Sequence, residues 1–362
     1  MSNELKPLML GGLEIKVPII QGGMGVAIST ASLASAVANC GGAGTIASVG
    51  LGYGSQENET DFVKASRKGL QSEIRKAKKI TKGIIGANIL VAVSNYEDLV
   101  QVVAEEKADF LVSGAGLPLK LPEYVEGYSV KIIPIVSSAR AAAVILKAWK
   151  KRYDRFPDAI VVEGPLAGGH LGFQFEELTP PKDNMLELLV IDVLKVVCEY
   201  EKEYKRQIPV IAAGGIFDGK DAARFFKLGV KAVQIATRFV ATHECSVPDE
   251  FKKLYLDARK EDIVIIKSPV GLPGRSLKTS LIKRVVEGKR EAFRCNYRCL
   301  KTCDPSSAPY CIAKALFNAV TGKIDDAVVF AGSNVYRINK IVSVKELIDE
   351  IVGETIVALK KS

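Results

Sequence analysis

The 362-residue sequence predicts an α/β fold: a TIM (β/α)8 barrel followed by a C-terminal, mostly helical extension. Three observations predict it. Short apolar runs rich in Val, Ile and Ala recur eight times between residues 17 and 239, each followed by a helix-like stretch. The runs are continuously apolar rather than alternating, as strands covered by helices on both faces are. Most runs also end in glycine or small polar residues, which in a barrel gather at the C-terminal mouth. An open, doubly wound sheet is the alternative reading of the same alternation.

The runs are VPIIQGG (17–23), AGTIAS (43–48), GIIGANIL (83–90), ADFLVSG (108–114), KIIPIVSS (131–138), AIVVEG (159–164), IPVIAAGG (208–215) and AVQIATRF (232–239). Helices are expected between them. STASLASAVANCG has Ser29 or Thr30 as its N-cap, and DGKDAARFFKLG starts on Asp218 and stops at Gly229. The segment GAGTIA (Gly42 to Ala47) fits a relaxed dinucleotide fingerprint, but the expected strand runs through it instead of preceding it, so no dinucleotide site is expected there. Residues 1–245 are expected to form the barrel, and 246–362 an extension that packs on its mouth.

Apolar residues make up 48% of the chain and charged residues 25%, the balance of a soluble globular protein. The start, MSNELKPLML, lacks a basic segment leading into an apolar one, and no apolar stretch reaches the roughly 18 residues of a membrane span. A cytoplasmic protein with no membrane partner is expected. The formal charge of +9 reads as a solvated, lysine-rich surface or as attraction to an anion, such as a phosphate cofactor or an acidic carrier protein. The basic residues are scattered and no nucleic-acid module is legible, so no nucleic-acid partner is expected.

Two strand ends suggest a phosphate cradle. Gly214 and Gly215 close the seventh run just before the helix start at Asp218, and Thr237 closes the eighth. Loops after strands seven and eight are where barrels recurrently bind phosphate, through bare N–H groups and a helix dipole. The alternative is that the two glycines only permit a tight turn. His170, one of two histidines in the chain, follows the sixth run beyond Gly168 and Gly169. There it would serve as general base or proton donor to a substrate lying over a cofactor, or else make a structural hydrogen bond. His243 reads as ordinary.

Four of the seven cysteines crowd into CNYRCLKTCDPSSAPYC: Cys295, Cys299, Cys303 and Cys311. If the stretch is helical, steps of four put the first three on one face. With Cys311 they would bind a metal or an iron–sulfur cluster. Reduced structural thiols or a local disulfide are the alternatives, the latter disfavoured in the cytosol.

PIIQGGMG at the first strand, GANI at the third, SGAGLP at the fourth, EGPLAGGHLG at the sixth, IPVIAAGGI at the seventh and AVQIATRF at the eighth resemble the nitronate monooxygenase family. This family was formerly called 2-nitropropane dioxygenase and includes the flavin-dependent enoyl-acyl-carrier-protein reductase of type II. The resemblance implies a TIM barrel holding FMN at its mouth. It implies that Gly22, Gly23 and Met24 line the flavin ring, that Asn88 hydrogen-bonds it and that Glu163 lies beside it. Gly214, Gly215, Gln234 and Thr237 would hold the ribityl and phosphate end, with His170 as the catalytic histidine. SPVGLPGR (268–275) resembles the family's post-barrel loop, with Arg275 facing an anionic group, and FAGSNVYRINKIVSVKELIDEI resembles a tail returning to the mouth. The cysteine group matches neither well-studied type.

The expected function is therefore FMN-dependent oxidation of an alkyl nitronate with His170 as base. The alternative is an NAD(P)H-dependent enoyl-acyl-carrier-protein reductase, with an acyl carrier protein as partner, or a related NAD(P)H:flavin oxidoreductase. A phosphate-sugar isomerase or a non-catalytic flavin module would be readings of another class. The substrate is a small molecule, and a homodimer is left open.

Overall fold

The computed structural model describes residues 5–53, 61–179, 185–295 and 297–361; the first residues of the start searched for a leader lie outside them. A hairpin of β1 (Leu8–Leu10) and β2 (Leu13–Ile15) comes first. The barrel follows, with β3 (Ile19–Gln21), β4 (Ala43–Ala47), β5 (Ile84–Leu90), β6 (Phe110–Gly114), β7 (Lys131–Val136) and β8 (Ile160–Glu163). After a two-residue strand outside the barrel, β9 (Gly169–His170), come β10 (Val210–Ala213) and β11 (Ala232–Ile235). The eight barrel strands are all parallel and close, with β11 pairing β3 through Val233 and Ile19. They are the eight apolar runs, in order.

Side-chain alternation splits each strand between two cores. Ile20, Phe110, Ile133, Val161 and Ile211 point into the barrel, where they meet Leu8, Leu10 and Ile15 of the hairpin. The hairpin thus stoppers the barrel from its N-terminal end, each fully buried Leu or Ile contributing roughly 1.5–3 kcal/mol. Ile19, Ile46, Leu111, Ile132, Val162 and Val233 point outward and pack against the helices. This two-sided burial is why the runs read as unbroken.

Helix contact with the sheet explains GAGTIA. Helix Ala31–Asn39 lies directly on β4, and a Cβ on Gly44 would come within 1.9 Å of the Ala34 carbonyl oxygen. Its N-cap is Thr30, without a side-chain capping bond. Ser29 instead accepts from Met24 N–H at 3.0 Å and from Gln21 Nε2 at 2.8 Å. Helix Gly219–Leu228 starts and stops as expected, on Asp218 and on Gly229 with φ of 105°.

Beyond the barrel, helix Asp249–Leu256 leads to an antiparallel hairpin, β12 (Ile263–Lys267) and β13 (Pro273–Leu277). Helices Ser280–Val286, Ile312–Val320 and Val344–Lys360 follow. The extension thus combines helices with this hairpin and long coil segments, and its β13 pairs β9 through Gly274 and His170. The last helix returns to the barrel, where Glu350 pairs with Arg238 at 3.0 Å and Ile351 packs so close that Gly219 admits no Cβ.

Two expectations are corrected. Strand eight ends at Ile235, and Thr237–Val240 form a helical turn instead of continuing it. The cysteine stretch is not helical, so no helix face presents Cys295, Cys299 and Cys303; Arg298 within it takes a left-handed φ of 45°. Among the described residues no helix is long and apolar enough to cross a membrane.

Gly44→Ala is expected to destabilise the fold by about 3 kcal/mol or more, since the obstacle is backbone and cannot rotate away. Urea unfolding followed by circular dichroism reads this directly; a change under about 0.5 kcal/mol would mean that helix and strand are not in register as described.

Candidate functional site

One cavity opens at the C-terminal ends of the barrel strands. It gathers every residue the sequence assigned to the cofactor. Gly22, Gly23 and Met24 come from β3 and the turn after it, Asn88 from β5 and Glu163 from β8. Gly214 and Gly215 follow β10, Gln234 lies on β11, and Thr237 comes just after it. His170 lies on the same wall.

Close approach explains the glycines. A Cβ on Gly23 would come within 2.3 Å of the Asn88 Cβ, so this turn passes against the Asn88 side chain only as glycine. Gly214 and Gly215 take left-handed φ values of 92° and 89°, and a Cβ on Gly214 would meet the Gly164 carbonyl oxygen at 2.9 Å. The glycine pair therefore does shape a tight turn, and both glycines line the cavity.

The tail supplies the remaining wall. Residues 329–331 run beside β13, with Ser276 bridged to Phe330 and Leu277 N–H donating to Val329 O at 2.8 Å. Gly332 N–H donates to the Thr237 hydroxyl at 2.9 Å, and Asn334 Nδ2 to Gly215 O at 2.7 Å. The Ser333 hydroxyl is buried in this wall without a partner. An unpaired buried hydroxyl beside Gly214, Gly215 and Thr237 fits an anionic group such as a phosphate, which would complete its hydrogen bonding. The helix whose dipole was expected to help begins close by, but its first-turn donors already have partners. The first turn of helix Gly219–Leu228 is capped by Asp218, which accepts from Asp221 N–H at 2.9 Å, and by Glu354, which accepts from Gly219 N–H at 2.9 Å.

His170 sits where two elements of the extension meet it. Its Nε2 lies 2.8 Å from the Ser268 hydroxyl, and its ring stands edge-on to Phe330 at 4.9 Å. Ser268 also accepts from Val270 N–H at 3.3 Å, which holds it in the turn between β12 and β13. Arg275 is corrected: it does not face the cavity as an anion-binding charge. It is 3% exposed and donates through Nη1 to the carbonyls of Pro165 and, at 2.6 Å, Ala167, fixing the loop that precedes His170.

Burial sets the ionisation of Glu163 and His170 in the cavity wall. It raises Glu163 from 4.5 to about 7 and lowers His170 from 6.5 to about 4. Near neutrality His170 is the uncharged imidazole, the form able to accept a proton. Ser268, Phe330 and Ser333 were missed in the sequence. SPVGLPGR and the tail were singled out, but nothing in a single sequence says which residue of a distant loop meets the histidine.

The four cysteines are free and lie outside this cavity's wall. Among the described residues no three His, Cys, Asp or Glu side chains form a ready metal-ligand set.

Comparison with known proteins agrees with this architecture. The chain matches the pattern of the family described as "Nitronate monooxygenase" over residues 6–106 and 91–354. The structure of FabK from Thermotoga maritima superposes with a TM-score of 0.75 at 30% identity, covering 96% of this chain and 95% of that one. A (3aS,4S,5R,7aS)-5-hydroxy-7a-methyl-1-oxo-octahydro-1H-indene-4-carboxyl-CoA dehydrogenase of Mycobacterium tuberculosis is 29% identical over 276 residues. That match covers 76% of this chain and 67% of the relative. A probable nitronate monooxygenase of Staphylococcus aureus is 25% identical over 303 residues, 75% of this chain and 78% of the relative.

The two buried groups make a pH test. Glu163, with its folded pKa raised, holds a proton that the unfolded chain gives up, so its contribution to stability is full below pH 4.5 and is lost as pH rises towards 7. His170, with its folded pKa lowered, makes a contribution present above pH 6.5 that is lost as pH falls towards 4. In ligand-free protein, the stability gap between wild type and Glu163→Gln should therefore change steadily between pH 4.5 and 7, the wild type losing ground as pH rises. Urea midpoints taken across that window check this; a constant gap would refute the burial of Glu163.

Proposed function

The chain belongs to the nitronate monooxygenase family, a family of flavin-dependent oxidoreductases, and from that premise we propose that it binds FMN and that His170 moves the proton next to the group that activates the substrate. An alkyl nitronate or its nitroalkane is the substrate class we place first. The observation that carries the reading is His170 itself: an uncharged imidazole held at 2.8 Å by Ser268 in the wall of a cavity rimmed by glycine backbone.

The parts divide as follows. Gly22, Gly23 and Met24 would line the flat ring through their backbone, with Asn88 donating to it and Glu163 beside it. Gly214, Gly215, Gln234, Thr237 and the unpaired Ser333 hydroxyl would hold the ribityl and phosphate end. Bound FMN would supply the two-electron chemistry. His170 Nε2 and the Ser268 hydroxyl share a hydrogen bond whose donor depends on the tautomer, and that bond orients the imidazole that would move the proton. Phe330 against the ring and Arg275 beneath the loop keep the imidazole in place and water away from it.

A second reading has its own support. FabK and the CoA-thioester dehydrogenase are 30% and 29% identical to this chain, against 25% for the nitronate monooxygenase relative. On that reading the substrate is an acyl thioester with NAD(P)H as hydride donor, and the +9 charge would draw an acidic carrier protein. The same histidine would then exchange the proton α to the thioester carbonyl.

An absorbance spectrum of oxygen-free protein should show flavin bands. Bleaching on addition of a nitronate alone supports the first reading, bleaching with NADH or NADPH the second, and absence of flavin bands overturns both. His170→Ala should keep the flavin but lose about 10²-fold or more in kcat. Ser268→Ala should lower kcat less and shift the acidic limb of its pH profile, because it removes the group that orients the base. Full turnover in His170→Ala would sink the proposed role.

A further inference from the structure

Beyond the residues assigned to FMN, the cavity wall is nearly all apolar. Val49, Leu90 and Ala115, at or just past the ends of β4, β5 and β6, line it from the barrel, and Leu316 and Phe330 line it from the extension. Among the described residues of the wall, Glu163 and Arg238 are the acidic and basic side chains. Arg238 follows Thr237 at the phosphate end, and its charge is already engaged. Its Nη2 meets Glu350 at 3.0 Å, its Nη1 donates to Phe217 O at 3.1 Å, and its guanidinium lies 4.4 Å from the centre of the Phe217 ring. The Tyr255 hydroxyl is taken as well, donating to Phe330 O at 2.5 Å. Of the described side chains, His170 is then the polar one left to meet a substrate.

Leu316 and Phe330 are built as one surface. Both are half-buried, and both pack on the extension's own core of Ile266, Ile282, Tyr310 and Val328 while also lining the cavity. Val328 N–H donates to Ala315 O at 3.2 Å, which ties the helix bearing Leu316 to the segment bearing Phe330. Phe330 is held on three sides. Its backbone is bridged to Ser276, its carbonyl takes the Tyr255 hydroxyl, and its ring lies against Gly274, where an added Cβ would come within 3.0 Å of it. The ring in turn stands edge-on to His170 at 4.9 Å, so this apolar surface begins beside the imidazole.

An aromatic clasp fixes the other end of the surface. Phe317, next to Leu316 on helix Ile312–Val320, packs on Tyr53 with ring centres 4.8 Å apart. Tyr53 belongs to the segment after β4, four residues beyond Val49, and it also meets Tyr297 of the cysteine loop (residues 289–311) at 5.1 Å. Three separate segments thus hold Leu316 over the barrel end. Apolar area kept open in a cavity is stabilised by an apolar occupant, whereas a charged group brought there would lose its water without gaining a partner.

We propose that Leu316 and Phe330 determine the specificity of this site by receiving a straight apolar chain, one that carries no charged group beyond the substrate's reacting head. They do so on the FMN reading, which leaves this part of the wall to the substrate. The head meets His170, and the chain runs along Phe330 to Leu316. Whether the head is a nitro group or a thioester, the chain occupies the same wall. A substrate with a second carboxylate or a phosphate on its chain is disfavoured, because Arg238 is committed to Glu350.

The test uses the flavin-loaded full chain without oxygen and four unreactive probes: butan-1-ol, hexan-1-ol, octan-1-ol and 8-hydroxyoctanoate. Binding is read by calorimetry and by the shift of the flavin bands. Affinity should rise by up to about fourfold for each added CH2, so that octanol binds about 10²-fold more tightly than butanol. 8-Hydroxyoctanoate, the same chain with a charge at its far end, should lose most of that gain. Leu316→Trp should weaken octanol about tenfold or more and leave butanol unchanged; Leu188→Trp, at an exposed leucine elsewhere, should keep the wild-type series. Equal affinity along the series, 8-hydroxyoctanoate binding as tightly as octanol, or an unaltered series in Leu316→Trp would overturn the proposal. Should Leu316→Trp fail to fold, the wild-type series and the charged probe still decide. Absence of flavin bands before any probe is added would overturn the FMN reading and this proposal with it, whereas flavin bands with a flat series would overturn this proposal alone.

Discussion

Closure of β11 against β3 is the constraint on which the rest depends. Eight parallel strands joined edge to edge leave no free edge, and they bring all eight strand ends to one rim. Without the pairing of Val233 with Ile19, Gln234 and Thr237 would not stand beside Gly22 and Gly23. Closure also dictates what fills the middle. The barrel end away from the cavity is stoppered by the Leu8, Leu10 and Ile15 side chains, so the barrel is a packed core with one working face.

That face is finished by residues from outside the barrel. β13 pairs with β9 and fixes the backbone of His170, while the turn before β13 brings Ser268 to its ring. Arg275, on the same strand, ties down the loop leading to the histidine. The tail then runs along β13 and lays Phe330 and Ser333 into the wall. Barrel strands set where the histidine can be; the extension sets which way it faces. A buried arginine fits this work better than an anion-binding role, because its charge meets carbonyl oxygens at a distance where each bond is strong.

Legibility in the sequence followed burial. The barrel strands stood out because both their faces are covered, leaving unbroken apolar runs, and because glycine or small residues end them. The hairpin β1–β2 escaped notice because two three-residue strands with a single turn carry too little pattern. Of the site, the residues on strand ends were readable because barrel topology places them. Ser268, Phe330 and Ser333 were not, because they come from loops whose return path is set by packing. The Asp218 helix start was correctly located. Its Asp221 N–H is taken by Asp218 and its Gly219 N–H by Glu354, which lies 135 residues beyond Gly219. The cysteine spacing invited a helix, but the Leu300–Val93 bridge and the backbone bonds of Cys299 and Lys301 hold the stretch against the barrel in a coil.

The cavity's electrostatics follow from the same enclosure. Glu163 and His170 both favour their uncharged forms because the loops and the tail exclude water, not because either has a charged partner. Such a pair is responsive: any bound group that brings charge changes both. An anion near His170 would raise its proton affinity, and a positive or hydrogen-bond-donating group near Glu163 would lower that carboxyl's pKa. Among the described residues the imidazole's hydrogen bond is to Ser268, whose turn is anchored by Val270 and, beyond it, by Thr302 of the cysteine loop. A shift in that loop would therefore reach the histidine through three consecutive hydrogen bonds. The basicity of the imidazole is thus set by two things the barrel itself does not contain: what occupies the cavity, and how the extension holds its turn.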